Sequence, residues 1–279
     1  DEKEGSRIFV TTPAGSSNYA TVAQRIVLQP INIRKPDGSC YAKLPDLQEP
    51  AMSALRIVKA LIHAYLPSHE VVLETVAEHT PVVGGRMTRN DAQGAKREDG
   101  TVVTQLATGA LLGARRDSDV CDQGRGPTFT LFVVASHLYP TDVRAGKLVS
   151  DAHLAWCISS PLEKTNEPHI EDTDDELDAW VLSTHQAEAY CDDEREKTRV
   201  ICSTALYCTL AEAVDLDVCE NLDCAMNNCD SIDEARSTSL LLCPTCMRKL
   251  HLRGIVIDVP GCRERVEAVL ADAGNAGLL

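Results

Sequence analysis

Two stretches constrain this chain more than any other: "CENLDCAMNNC", Cys219 to Cys229, and "CPTC", Cys243 to Cys246. Paired Cys219 with Cys224 and Cys243 with Cys246, they offer four soft ligands from two short-range pairs, at little loop-closure cost. That pattern predicts one tetrahedral zinc. Four thiolates leave no open coordination position, so such a zinc is structural. Cys229 is second choice as a ligand on its spacing, and four ordinary buried cysteines form the competing reading.

Seven of the twelve cysteines lie between Cys202 and Cys246. Such clustering is unlike a disulfide framework and suits thiolates kept reduced for a metal. It predicts an intracellular, reducing compartment: the cytosol, or the mitochondrion if a targeting peptide has been removed. At 279 residues the chain can bury a substantial core without metal or disulfide. Aromatic residues make up only 4%, so Val, Leu, Ile and Ala must build that core. The formal net charge of -15 argues against direct contact with nucleic acid or with anionic membrane surfaces. No apolar run approaches the roughly 20 residues of a membrane-spanning helix.

Residues 1–22 are polar and read as an extended arm. Strands are expected over Arg25–Ile33, His69–Glu78 and Thr128–Ser136, with a weaker one over Asp151–Ser160. Helical spacing marks Met52–Leu66, Thr101–Arg116 and Ala187–Val214, then one helix around Ile232–Leu252 and another over Arg263–Ala273. Gly84–Gly100 is loop-like. The acidic run "EDTDDELD", Glu171 to Asp178, reads as a solvated loop or helix start, with a docking surface for a basic partner as the alternative. The expected fold is α+β, a mixed sheet with flanking helices. It divides into the arm 1–22, a domain over 23–258 and a C-terminal helix over 259–279.

With the cysteines placed, the segment resembles the archaemetzincins. In that family a zinc-protease motif, HExxHxxGxxH, runs directly into a cysteine, then Cys-x-Met, then a later CxxC. Here stand Cys219, then Cys224-Ala225-Met226, then "LCPTCMRKL" from Leu242 to Leu250. Met226 falls where the family has its Met-turn methionine. "VLQP" near the N-terminus, "MTRNDA" (Met87–Ala92), "FVVASHLYP" (Phe132–Pro140) and "GKLVSDAHLAWCISSPL" (Gly146–Leu162) also look like family segments, in order. The resemblance covers roughly residues 24 to 255. It implies a metzincin-like sheet and a C-terminal helical part stapled by zinc.

The catalytic motif departs from the family. HExxHxxGxxH falls on "CTLAEAVDLDV", Cys208 to Val218. Cys208 and Glu212 replace the first two histidines, Thr209 the general base, Asp215 the glycine and Val218 the third histidine. Ligands at i and i+4 share one helical face, so Cys208 and Glu212 keep that geometry. Val218 has no donor atom, and Thr209 has no proton that ionises near neutrality and cannot act as the base. Asp215 tolerates the left-handed backbone of such a turn better than most residues. A nucleophilic Cys208 would need a histidine, for which only His185 and His153 offer themselves.

The expectation is therefore an inactive archaemetzincin-like protein, a structural or adaptor subunit of a larger intracellular assembly with protein partners. The alternative is a metal-dependent peptidase or hydrolase with altered ligands.

Overall fold

The computed structural model describes residues 23–34, 38–39, 50–79, 88–89, 105–107, 128–135, 138–139, 141–142, 147–148, 159–162, 179–227 and 232–279. Strand β1 (Arg25–Ile33) is a near-continuous apolar run with only Gln29 not fully buried. A strand without alternation belongs inside a sheet covered on both faces. β1 occupies that place. It pairs in parallel with β2 (Glu70–Leu73) and β3 (Ala77–His79) along one edge, and with β6 (Thr128–Val134) along the other. β11 (Ala179–Ser183) runs parallel to β6, and β10 (Ser159–Leu162) closes the sheet antiparallel to β11. The six-stranded mixed sheet has the order β10-β11-β6-β1-β2, with β3 beside β1. A small ladder joins β4 (Thr88–Arg89), β5 (Gln105–Ala107) and β7 (Leu138–Tyr139), and β8 (Thr141–Asp142) pairs with β9 (Lys147–Leu148).

Helix α1 (Pro50–Tyr65) buries Leu55, Val58, Leu61, Ile62 and Tyr65 and keeps Arg56, Lys59 and His63 on its wet stripe. α2 (His185–Tyr190) is short, and α3 (Glu194–Ala213) packs against α1 and β6 and is buried around most of its girth. Asp193 caps α3 by accepting from the Arg195 amide at 2.6 Å, and Glu194 and Glu196 fill the first turn, where the helix dipole favours acids. α4 (Ile232–Ser237) and α5 (Pro244–Leu252) follow, then α6 (Val259–Asn275). α6 lies on α1: Cys262 Sγ is 3.5 Å and Arg265 Nε 3.4 Å from the Ala64 carbonyl.

The α+β class, the mixed sheet and the flanking helices agree with the sequence reading. Several elements differ. Within the expected helix Thr101–Arg116, residues 105–107 form β5, because pairing of Leu106 with Thr88 and Leu138 overrides the local apolar pattern. The expected strand over 69–78 is two strands interrupted at Glu74–Val76. The long helical pattern over 187–214 breaks at Cys191–Asp193, where Asp193 caps a new helix. The single helix expected over 232–252 is two, the second opening with Pro244 at its first turn. β11 was not foreseen at all. The arm 1–22 and the acidic run Glu171–Asp178 lie outside the described residues. Among the described residues no helix is long and apolar enough to cross a membrane.

Candidate metal centre

The site begins where α3 ends. Asp215, next but one after the last helical residue, has φ of +51° and is the one non-glycine residue with positive φ among the described residues. Holding a side-chain-bearing residue there costs about 1–2 kcal/mol, less for Asp, whose polar side chain bonds locally. The turn is pinned from α5. The Arg253 guanidinium donates to the Val214 carbonyl at 2.7 Å and to the Asp215 carbonyl, and stands 3.6 Å from the Asp215 carboxylate. One helical turn earlier, Lys249 Nζ meets Asp217 Oδ2 at 2.8 Å. The Leu216 amide reaches back to the Leu210 carbonyl at 3.2 Å.

The chain then closes on itself between Cys219 and Asn227. The Cys219 amide donates to the Met226 carbonyl at 2.8 Å, and Asn227 Nδ2 to the Cys219 carbonyl at 2.9 Å. Inside this loop the Asn227 amide bonds the Cys224 carbonyl at 2.8 Å, which makes the tight turn that aims Cys224 inward. Cys243 sits at the N-cap of α5 and Cys246 in its first turn, so both sulfurs leave the same end of that helix.

These two pieces bring Cys219, Cys224, Cys243 and Cys246 together, with all four sulfurs within 4.8 Å of one another. Cys219 Sγ and Cys243 Sγ are 3.6 Å apart. A zinc tetrahedron with bonds of about 2.3 Å has sulfur–sulfur edges of about 3.8 Å, so the four sulfurs fit zinc with small shifts. The Met226 and Cys243 amides point at Cys224 Sγ from 3.4 and 3.3 Å, the arrangement that favours a thiolate.

Electrostatically Cys224, Cys243 and Cys246 compete. Burial pushes Cys243 up, but the Cys246 amide and the neighbouring thiols outweigh it and bring it down to about 7. Burial pushes Cys224 up to about 11 and, with the charge of Cys224, holds Cys246 far above the ordinary thiol range. The set carries several thiolates only with a cation among them. Among the described residues it is also the only group of three or more His, Cys, Asp or Glu side chains that could hold a metal.

The positions onto which the resemblance maps the HExxHxxGxxH motif lie on α3 and just past it. Cys208 and Thr209 are fully buried, and Glu212, one turn on, is half-buried. The Thr209 hydroxyl donates to the Ala205 carbonyl of its own helix at 2.8 Å. Val218 lies beyond the Asp215 turn, 37% exposed. Cys208 and Glu212 thus share a helical face, but no third ligand joins them among the described residues. His185 opens α2, its amide 3.2 Å from Ser183 Oγ. His153 and Cys229 lie outside the described residues.

Sequence reasoning missed Arg253, Lys249 and Tyr65. The first two read as ordinary basic residues near a helix C-terminus, and the only available signal was their four-residue spacing on the helix that begins with the CPTC pair.

No family model and no curated protein matches the chain by sequence. By structure it is similar to an archaemetzincin from Methanopyrus kandleri, at 15% identity and a TM-score of 0.48, over 82% of this chain and 94% of that one. It is also similar to an archaemetzincin from Archaeoglobus fulgidus, solved in complex with malonate, at 12% identity and a TM-score of 0.44, over 81% and 99% of the two chains. A zinc-dependent peptidase from Methanocorpusculum labreanum gives 13% identity and a TM-score of 0.46, over 80% and 99%. These are likenesses of overall fold.

Proposed function

We propose that this chain is a non-catalytic archaemetzincin-like protein that holds one structural zinc at Cys219, Cys224, Cys243 and Cys246. Its role is that of a structural or adaptor subunit in a larger intracellular assembly. One observation carries the reading: among the described residues the ligand-bearing groups that converge are the four thiols, and they fill every position of a tetrahedron themselves. When bound, the metal supplies four strong bonds between the loop after α3 and the start of α5. The rest is done by the chain. Amides from Met226 and Cys243 hold Cys224, and Arg253 and Lys249 hold the turn that delivers Cys219.

The absence of chemistry follows from residue types. A peptidase of this class needs three metal ligands and a base at the end of its helix. Those places carry Cys208, Glu212, Val218 and Thr209, and the Thr209 hydroxyl is already committed to Ala205. A shape that can grip an extended chain needs no catalytic metal, which leaves binding as the function. The arm 1–22 and the acidic run Glu171–Asp178 are the proposed contacts, the run by meeting a basic partner.

Elemental analysis and peptide-cleavage assays test this together. The expected result is one zinc per chain and no cleavage that a chelator abolishes. Two metals per chain, with chelator-sensitive cleavage lost in Cys208→Ala, would instead establish a hydrolase with altered ligands. For the adaptor role, the protein in native lysate should travel with a large complex. Migration as a lone monomer would sink that part.

A further inference from the structure

We infer that Tyr65 positions the thiol site, its hydroxyl fixing the Leu240–Leu242 backbone from which Cys243 is presented. The inference rests on the zinc reading above and adds a residue 175 positions away from the segment it holds.

Tyr65 ends α1 and is 1% exposed. Its hydroxyl donates to the Leu240 carbonyl at 3.0 Å and accepts from the Leu242 amide at 3.0 Å. Between those two bonds, the Leu241 carbonyl accepts from the Ala225 amide at 2.8 Å, beside Cys224. The very next amide, that of Cys243, donates to Cys224 Sγ at 3.3 Å. Residues 240 to 243 belong to no helix or strand, so nothing regular fixes their course. Their alternate polar groups are fixed instead by α1 on one side and by the Cys224 turn on the other. Leu240 and Leu242 are buried, so water does not readily replace the phenol.

Burial also keeps the phenol protonated, well above its ordinary ionisation range against the opposing pull of the Leu242 amide. The protonated phenol can donate and accept at once. A phenylalanine would fill the same space and leave both backbone groups without their partner. Cys243 would then be presented by a segment free to shift, and groups that orient a metal ligand from outside the coordination shell typically change affinity about 10–100-fold.

The test compares three full-length chains: wild type, Tyr65→Phe, and Ser203→Ala. Ser203 supplies the control because its buried hydroxyl donates to the Val200 and Ala235 carbonyls, both at 3.1 Å, and neither acceptor lies in residues 240–243. Zinc affinity is measured by chelator competition, and site geometry by the sulfur-to-cobalt charge-transfer band after cobalt substitution. Tyr65→Phe should bind zinc about 10–100-fold more weakly with an altered band. Ser203→Ala should melt earlier yet keep wild-type affinity and spectrum. Wild-type affinity and band in Tyr65→Phe overturn the inference, as does equal weakening in both variants. A wild-type chain that takes up no zinc overturns the metal reading as well. Should Tyr65→Phe fail to fold, amide exchange in the wild type decides. Loss of protection at 62–65 together with 242–243 on chelation supports the inference, while a last turn of α1 that stays protected overturns it.

Discussion

The sheet half and the stretch from Val214 to Arg253 are held together by different means. Around the sheet, Ile26, Leu28, Phe129 and Trp180 meet Leu55, Leu61 and Leu206 from the helices, all essentially inaccessible to water. From Val214 to Arg253 the chain has two short helices, and Val218, Leu222 and Leu252 face solvent. Buried residues such as Leu216, Met226 and Leu250 join the same apolar core as the sheet, but most of the buried residues here stand outside helices and strands. Ion pairs, backbone clamps and four thiols are added to close packing there. The contrast teaches that a cross-link stands where regular secondary structure is short, since Cys219 and Cys224 lie in a loop whose course no helix or strand fixes.

The sharpest way to break the comparison is to remove the staple. Cys243→Ser, or prolonged chelation, should drop zinc from one per chain to nearly none. Amide protection should be lost over 219–257 while the sheet strands stay protected, as exchange with mass-spectrometric readout would resolve. Protection that is lost equally in β1 and β6 would mean that the two regions are one unit.

Next in size is a cut on the other side. Leu61→Ala, in the middle of the α1 face, should cost about 2–5 kcal/mol in urea unfolding. The folded fraction should still carry its full zinc. Loss of metal at concentrations of urea where β1 is intact would contradict this.

Arg253→Ala removes the clamp on the Val214 and Asp215 carbonyls and exposes the cost of the left-handed turn. About 1–2 kcal/mol of stability should go, read as a lower thermal midpoint, with zinc stoichiometry unchanged.

The smallest effect is one of pH. The hydrogen bond from Lys249 holds Asp217 below its ordinary range, and the same bond holds Lys249 above its own. The Asp217 contribution is complete above the unfolded value of about 4 and fades as pH falls through the lower folded value. The Lys249 contribution is complete below about 10.4 and fades as pH rises through the higher folded value. Because the pair is largely exposed, each should amount to less than about 0.5 kcal/mol. Asp217→Asn should flatten both limbs of the stability–pH curve, and an unchanged curve would remove this pair from the account.

What the sequence disclosed divides along the same line. The four cysteines were legible because ligand spacing is a local property. β1 and β6 were legible because buried parallel strands carry mostly apolar runs without strict alternation. Asp215 was legible too, since a residue type tolerant of positive φ stood where a sharp turn was required. β11 escaped because "AWVLS" is only five residues, squeezed between an acidic run and a helix, and it is a strand by virtue of β6 and β10. The break before α3 had a visible signal, Asp193 followed three residues later by Glu196, a capping pattern hidden inside a longer helical periodicity. Tyr65 had no signal at all. A tyrosine on an apolar helix face looks like core until the partners of its hydroxyl are known.

The seating of α6 on α1 has a further consequence during synthesis. Cys262 and Ala64, which touch across that contact, are 198 residues apart in the chain. At about 5–20 residues per second, roughly 10–40 s pass between the emergence of one helix and of the other. Throughout that interval the flank of α1 that will receive α6 is bare on every nascent chain. Whatever attends the ribosome exit, whether a holdase or a neighbouring nascent chain, meets that flank before its own cover does.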